Sequence, residues 1–194
     1  MAKLTGNNKV KISIFISGAG SNLLNLIKHS KKKNSNYIIK IIFSDNKEAL
    51  GLEYAKKYKI PFRVLNYQNK KKAEEKSLKL LNSNKIKIIC LAGYMRILSS
   101  YFIKKFRGKI LNIHPSLLPK YKGLNTHYRA IKNKDKYSGC TVHFVNTKLD
   151  SGKIILQKKI KILKKDNAKN LAKRILREEH KIYPIALNRT ISNL

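Results

Sequence analysis

The stretch VKISIFIS at residues 10–17 runs directly into Gly18-Ala19-Gly20-Ser21-Asn22. It is β-branched, apolar, short and stopped by glycine, which marks a buried strand rather than a helix. Residues 22–32 then carry Leu23, Leu26 and Ile27 at helical spacing. Strand, glycine-rich turn and helix in that order form the opening unit of a parallel α/β sheet.

The same alternation continues along the chain. Strands are expected at 37–43, 62–65, 87–92 and 109–114, with helices at 49–58, 73–81 and 99–106 between them. A Pro-rich irregular stretch reaches Gly123, a helix follows at 126–132, and strands follow at 140–145 and 154–162, where antiparallel pairing is open. A final amphipathic helix spans 167–188, with Pro184 as its expected point of interruption. No repeat or Pro/Ser linker divides the sequence. The expectation is one domain over residues 1–194: α/β, doubly wound, a mostly parallel Rossmann-like sheet with helices on both faces.

Composition narrows the function classes. A chain of 194 residues with 42% hydrophobic content buries a real core and is no disordered tail. Its 44 Lys and Arg against 10 Asp and Glu give a net charge of +34, which invites polyanionic partners. Only seven of the basic residues are Arg, however, and the lysines are scattered among Asn and Ile, all residues of A/T-rich codons. That pattern favours genome composition over an evolved nucleic-acid surface, so specific nucleic-acid binding is not expected. Cys90 and Cys140 form no CxxC pair and are read as reduced and buried. No apolar stretch approaches a membrane span, and residues 1–10 lack the apolar region of a signal peptide, so the cytoplasm is the expected address.

In doubly wound sheets ligands sit beyond the carboxyl ends of the strands, so three loops matter. In Ser17-Gly18-Ala19-Gly20-Ser21-Asn22 two glycines permit a tight turn. The helix start beyond them is either a phosphate cradle or a plain turn capped by Ser or Asn. In LNIHPSLLP at 111–119, a period of two puts Asn112 and His114 on one face, and two prolines stiffen the chain beyond them, with Leu118-Pro119 a candidate cis bond. In Leu149-Asp150-Ser151-Gly152 the acid either holds an imidazolium or belongs to a surface turn. His143, His127, His29 and His180 read as structural or solvated. No spacing suggests a metal site, and none is expected.

ISGAGSNL, LAGYMRIL, ILNIHPSLLPKYKGLNTH, TVHFV with LDSG following, and EEHKIYP occur in this order over nearly the whole chain. With them the sequence resembles the phosphoribosylglycinamide formyltransferases, folate-dependent enzymes of purine biosynthesis. The resemblance implies Asn112, His114 and Asp150 as the catalytic trio. It implies Gly20, Ser21, Asn22, Leu23 and Leu24 at the substrate's phosphate and ribose end, with Glu179 at its glycinamide. It assigns Lys71, Met95, Arg96, Ile97 and Leu98 to the folate site, and Asn146, Thr147, Lys148, Leu149 and Asp150 to a loop over the pterin, with Asn112 contacting the same co-substrate. The implied co-substrate is 10-formyltetrahydrofolate. The implied partners are small molecules, with the chain a monomer or homodimer.

Departures from the family pattern are Lys71 for Arg, Asn125 for His, and Ser151 and Lys153 for Gly and Pro. Three other readings share parts of the pattern. Methionyl-tRNA formyltransferases carry HPSLLP but usually have a further C-terminal domain, and formyltetrahydrofolate hydrolases share the core but usually have an N-terminal regulatory domain. A basic RNA-binding protein would bind nucleic acid tightly, with steep salt dependence.

Overall fold

The computed structural model describes residues 9–194; most of the 1–10 segment read for a signal peptide lies outside them. The described residues form β1 (Val10–Ile16), α1 (Ser21–Ser30), β2 (Tyr37–Ser44), α2 (Gly51–Lys57), β3 (Phe62–Val64), α3 (Lys70–Ser83), β4 (Ile88–Leu91), α4 (Ser100–Lys105), β5 (Lys109–His114), α5 (Thr126–Lys132), β6 (Tyr137–Phe144), β7 (Ile154–Lys161) and α6 (Ala168–Ile191). The strands are ordered β3-β2-β1-β4-β5-β6-β7 in a seven-stranded, mostly parallel sheet flanked by helices. The chain forms two compact units, one ending at Leu111 and one spanning Asn112–Leu194, so the boundary falls inside β5.

In the first unit β1 pairs in parallel with β2 and with β4, and β2 with β3. Ile12, Ile14, Phe15 and Ile16 are all fully buried, which is why β1 reads as a continuous apolar run rather than an alternating one. Each such side chain contributes about 1.5–3 kcal/mol by leaving water. Phe15 centres the aromatic core, its ring 4.9 Å from Phe43 and 5.3 Å from Tyr94. The chain moves outward from β1 to β3 and then returns to β4 on the other side of β1, so strand order reverses at β1 and β4, where such sheets bind ligands. Helix α1 begins at Ser21 with Gly20 as its N-cap and no side-chain cap, in place of the Ser or Asn cap considered from sequence. Helix α3 begins earlier than the apolar spacing suggests because the Asn69 side chain accepts from the Lys72 N–H.

In the second unit β6 and β7 are antiparallel, and α6 packs on both. Leu171, Ile175, Tyr183 and Leu187 are its fully buried face. The expected interruption at Pro184 does not occur: the helix runs on to Ile191. Proline costs one N–H bond there, while the buried Ile182, Tyr183, Ala186 and Leu187 on either side keep the helix seated. No helix among the described residues is long and apolar enough to cross a membrane.

Candidate active site

Strand β5 ends in Asn112-Ile113-His114, and its period of two turns Asn112 and His114 to one face while Ile113 is buried on the other. His114 Nε2 lies 2.9 Å from the Tyr121 carbonyl. A carbonyl only accepts, so that nitrogen carries a proton. His114 Nδ1 faces Asp150 Oδ2 at 3.4 Å. An acceptor thus lies near each nitrogen of the ring.

Asp150 is held from several sides. Its φ of 44° is left-handed, and Oδ2 accepts from the Gly123 N–H at 2.9 Å. The base of its loop is closed where the Phe144 N–H donates to the Lys153 carbonyl at 2.9 Å. At Gly152 an added Cβ would lie 1.7 Å from the Phe144 carbonyl oxygen, so only glycine allows that approach. Ser151, one of the departures from the family pattern, donates to the Leu149 carbonyl at 2.7 Å and accepts from Lys122 Nζ at 2.6 Å. The side chain of Asp150 is 9% exposed, and the scarcity of water around it strengthens its electrostatic pull.

The stretch after His114 is fixed as firmly. Ser116 Oγ donates to the Lys120 carbonyl at 2.6 Å, and Leu118-Pro119 is cis. Thr141 Oγ1 donates to the Ser116 carbonyl at 2.6 Å and accepts from the Leu118 N–H at 3.1 Å. The Tyr121 hydroxyl donates to Asp135 at 2.8 Å, and Arg129 lies 5.0 Å over its ring. Asn125, read from sequence as a departure from the family pattern, is the left-handed N-cap of α5 with φ 58°, a conformation asparagine tolerates well.

Sequence reading treats His143 as structural, yet Asn112 Nδ2 lies 3.3 Å from its Nε2 and Asp150 Oδ1 lies 3.7 Å away. Burial holds its pKa below the ordinary 6.5, aided by His114 and opposed by the Phe144 carbonyl and Asp150. Burial likewise lowers His127, with His114 adding to the effect. Tyr121, Gly123 and Thr141 also escape a sequence reading. Two of them act through backbone groups, and Thr141 is marked only by sharing a β6 face with His143.

Glu179 is buried on α6. Burial, with lesser contributions from Glu179 and Glu178, pushes the Cys140 thiol far up, so it is no nucleophile. Both cysteines are free and buried. Among the described residues no group of His, Cys, Asp and Glu is placed to hold a metal ion.

The first unit carries most of the remaining expected residues. At Gly20, with φ 71°, a Cβ would come within 2.5 Å of the Gly51 Cα, so the turn needs glycine there. The Gly51 N–H donates to the Gly18 carbonyl at 3.0 Å, and the Ser17 N–H to the Gly93 carbonyl at 3.1 Å. Leu23 and Leu98 are buried core residues. Met95 donates its N–H to Ser17 Oγ at 2.8 Å, and Arg96 Nε donates to Asp45 at 2.7 Å while the guanidinium lies 5.4 Å over the Tyr67 ring. Lys71 is exposed on the first turn of α3. In the second unit Asn146, Thr147 and Lys148 are exposed, with the Asn146 side chain accepting from the Lys148 N–H at 2.9 Å.

Residues 10–187 match the family described as formyl transferase. The chain is 43% identical to the human trifunctional purine biosynthetic protein adenosine-3 over 92% of its own length but 18% of that protein's. The chain thus spans less than a fifth of the trifunctional relatives it matches. It is 42% identical to the phosphoribosylglycinamide formyltransferase of Haemophilus influenzae, covering 91% of this chain and 85% of that one. The solved structure of phosphoribosylglycinamide formyltransferase from Brucella melitensis superposes with a TM-score of 0.90 at 42% identity, covering 96% of this chain and 97% of that one. With the family match extending over most of its length and relatives this similar, the chain belongs to the formyl transferase family.

Proposed function

We propose that this chain transfers the formyl group of 10-formyltetrahydrofolate to the amino group of N1-(5-phospho-D-ribosyl)glycinamide in purine biosynthesis. On this reading residues 1–194 act as one catalytic domain, a monomer or homodimer without a metal ion. The observation that carries it is His114 held between the Tyr121 carbonyl and the buried carboxylate of Asp150, with the Asn112 amide on the same strand face.

That set of groups suits formyl transfer. The substrate amine forms a bond to the formyl carbon, and the carbonyl electron pair moves to oxygen, creating an oxyanion. The Asn112 N–H donates to that oxygen. Both His114 nitrogens already meet acceptors, so the imidazolium contributes its positive charge rather than a new hydrogen bond. Asp150 Oδ1, without the N–H donor that Oδ2 has in Gly123, takes the proton from the amine. Through water it passes that proton to the folate nitrogen as the old carbon–nitrogen bond breaks. Support for the binding residues is their kinship and position. Gly20 to Leu24 form the start of α1, which suits a phosphate, with Glu179 for the glycinamide. Lys71, Met95 to Leu98 and Asn146 to Leu149 suit the folate.

The test is to follow loss of formyl from 10-formyltetrahydrofolate by absorbance, with and without glycinamide ribonucleotide. Loss only with the ribonucleotide is the expected result. Loss without it would mean a hydrolase, and no loss under either condition would overturn the reading and direct attention to RNA.

A further inference from the structure

We infer that His143 is a positioning residue whose unprotonated Nε2 decides which end of the Asn112 amide faces the reaction. The inference rests on the formyl-transfer reading and goes beyond the Asn112, His114 and Asp150 trio.

The other ring nitrogen fixes the tautomer. His143 Nδ1 lies 2.8 Å from the Phe144 carbonyl, which can only accept, so Nδ1 carries the ring's proton. The side chain is 2% exposed. The groups facing it are Asp150 on the following loop, His114 at the end of β5 and the Phe144 carbonyl; burial above all, with His114, holds its pKa below the ordinary 6.5 against the opposing pull of the Phe144 carbonyl and Asp150. A neutral ring protonated at Nδ1 has a lone pair at Nε2. That lone pair meets the Asn112 amide at 3.3 Å, so the amide turns its NH2 end toward the histidine. One N–H is used there and the second, on the same nitrogen, remains for the oxyanion.

The converse defines the role. If Nε2 carried a proton, two donors would face each other and the amide would turn over. Its carbonyl oxygen would then be presented where negative charge develops, replacing a stabilising donor with a repelling acceptor. An asparagine alone has no preference between its two ends, so the histidine supplies it.

The fold is arranged to hold this orientation. Along β6 the period of two puts Thr141 and His143 on one face. Thr141 grips the Ser116 carbonyl and the Leu118 N–H while His143 meets Asn112, so one strand face braces the whole segment. The β6 and β7 ladder slips between Val142, opposite Leu156, and His143, opposite Ile154, leaving Ile155 as an extra residue. Slips of this kind redirect side chains next to functional sites.

Two experiments test the inference. In 15N NMR of the wild-type protein at neutral pH, His143 is expected with protonated Nδ1 and unprotonated Nε2. An imidazolium or the opposite tautomer would overturn the inference, whether or not the protein transfers formyl. In the second, His143→Phe keeps a ring but removes the acceptor, and kcat is expected to fall about tenfold to a hundredfold with both KM values within about twofold. His143→Gln, whose amide oxygen can replace Nε2, should recover kcat to within about threefold, and no recovery would count against the role. In the Asn112→Ala background His143→Phe should cost nothing more; an additional loss of similar size would mean His143 acts without Asn112. If His143→Phe does not fold, the Gln variant and the tautomer measurement each still decide. If the wild type transfers no formyl, the functional reading fails while the tautomer result stands.

Discussion

The loop after β4 in the first unit and the loop after β6 in the second are built in opposite ways. The former turns apolar side chains outward, with Met95 66% and Ile97 67% exposed, and leaves half of Arg96 in solvent. It is tied down by its backbone, through the Met95 N–H on Ser17, and by one ion pair, Arg96 to Asp45. The latter turns its one carboxylate inward, where Asp150 is almost wholly buried and meets the Gly123 N–H and His114. An exposed apolar rim with a fixed backbone suits recognition of a flat ligand. A buried, fully clamped charge suits chemistry, because it acts in little solvent and does not reorganise during the reaction. Damage to Met95 to Leu98 should therefore appear in KM and damage to Asp150 in kcat.

The sharpest test is Asp150→Asn. The substitution keeps the shape but removes both the charge beside His114 and the proton acceptor, so kcat is expected to fall about a thousandfold or more with little change in folate affinity. Unchanged turnover would remove Asp150 from the mechanism. Next is Asn112→Ala, which loses an oxyanion donor: turnover should drop roughly a hundredfold or more, and a fall below about tenfold would sink the assigned role.

On the other side of the contrast, Arg96→Ala removes a charged donor that the proposed function assigns to binding and not to reaction. The KM for the formyl folate should rise about tenfold while kcat changes by less than about threefold, and a loss confined to kcat would erase the distinction between the loops.

The smallest expected effect concerns pH. Burial lowers His143, His127 and His29 below the ordinary 6.5. Below that value the unfolded chain binds protons that the fold refuses, so stability is full above about pH 6.5 and declines as pH falls from there toward the folded values. The melting temperature should drop by a few degrees between about pH 7 and about pH 5, and His143→Gln should shallow the slope. A melting temperature that rises on acidification would contradict the neutral buried rings.

Much of this was legible without coordinates. VKISIFIS and the glycine turn after it specify strand, turn and helix because apolar period and glycine placement act over a few residues. Helix 126–132 and strand 109–114 match their expected bounds for the same reason. Asn112 and His114 could be paired on one face from the period of a strand alone, and the motif strings carried the family. At Pro184 the local penalty that sequence suggests is outweighed by the buried face of α6.

What local pattern could not reach was the partner of each polar group. That His114 Nε2 meets a backbone carbonyl seven residues on, that the Gly123 N–H caps Asp150, and that the Asn112 amide rests on His143 all depend on loops closing over distances along the chain that no period encodes. Sequence by itself determined the elements, the family and the candidate side chains of the site, since these depend on residue type and near-neighbour spacing. Tertiary structure decided what each imidazole nitrogen faces and that burial lowers the pKa of His143, since both depend on groups the loops bring together and on how little water surrounds them.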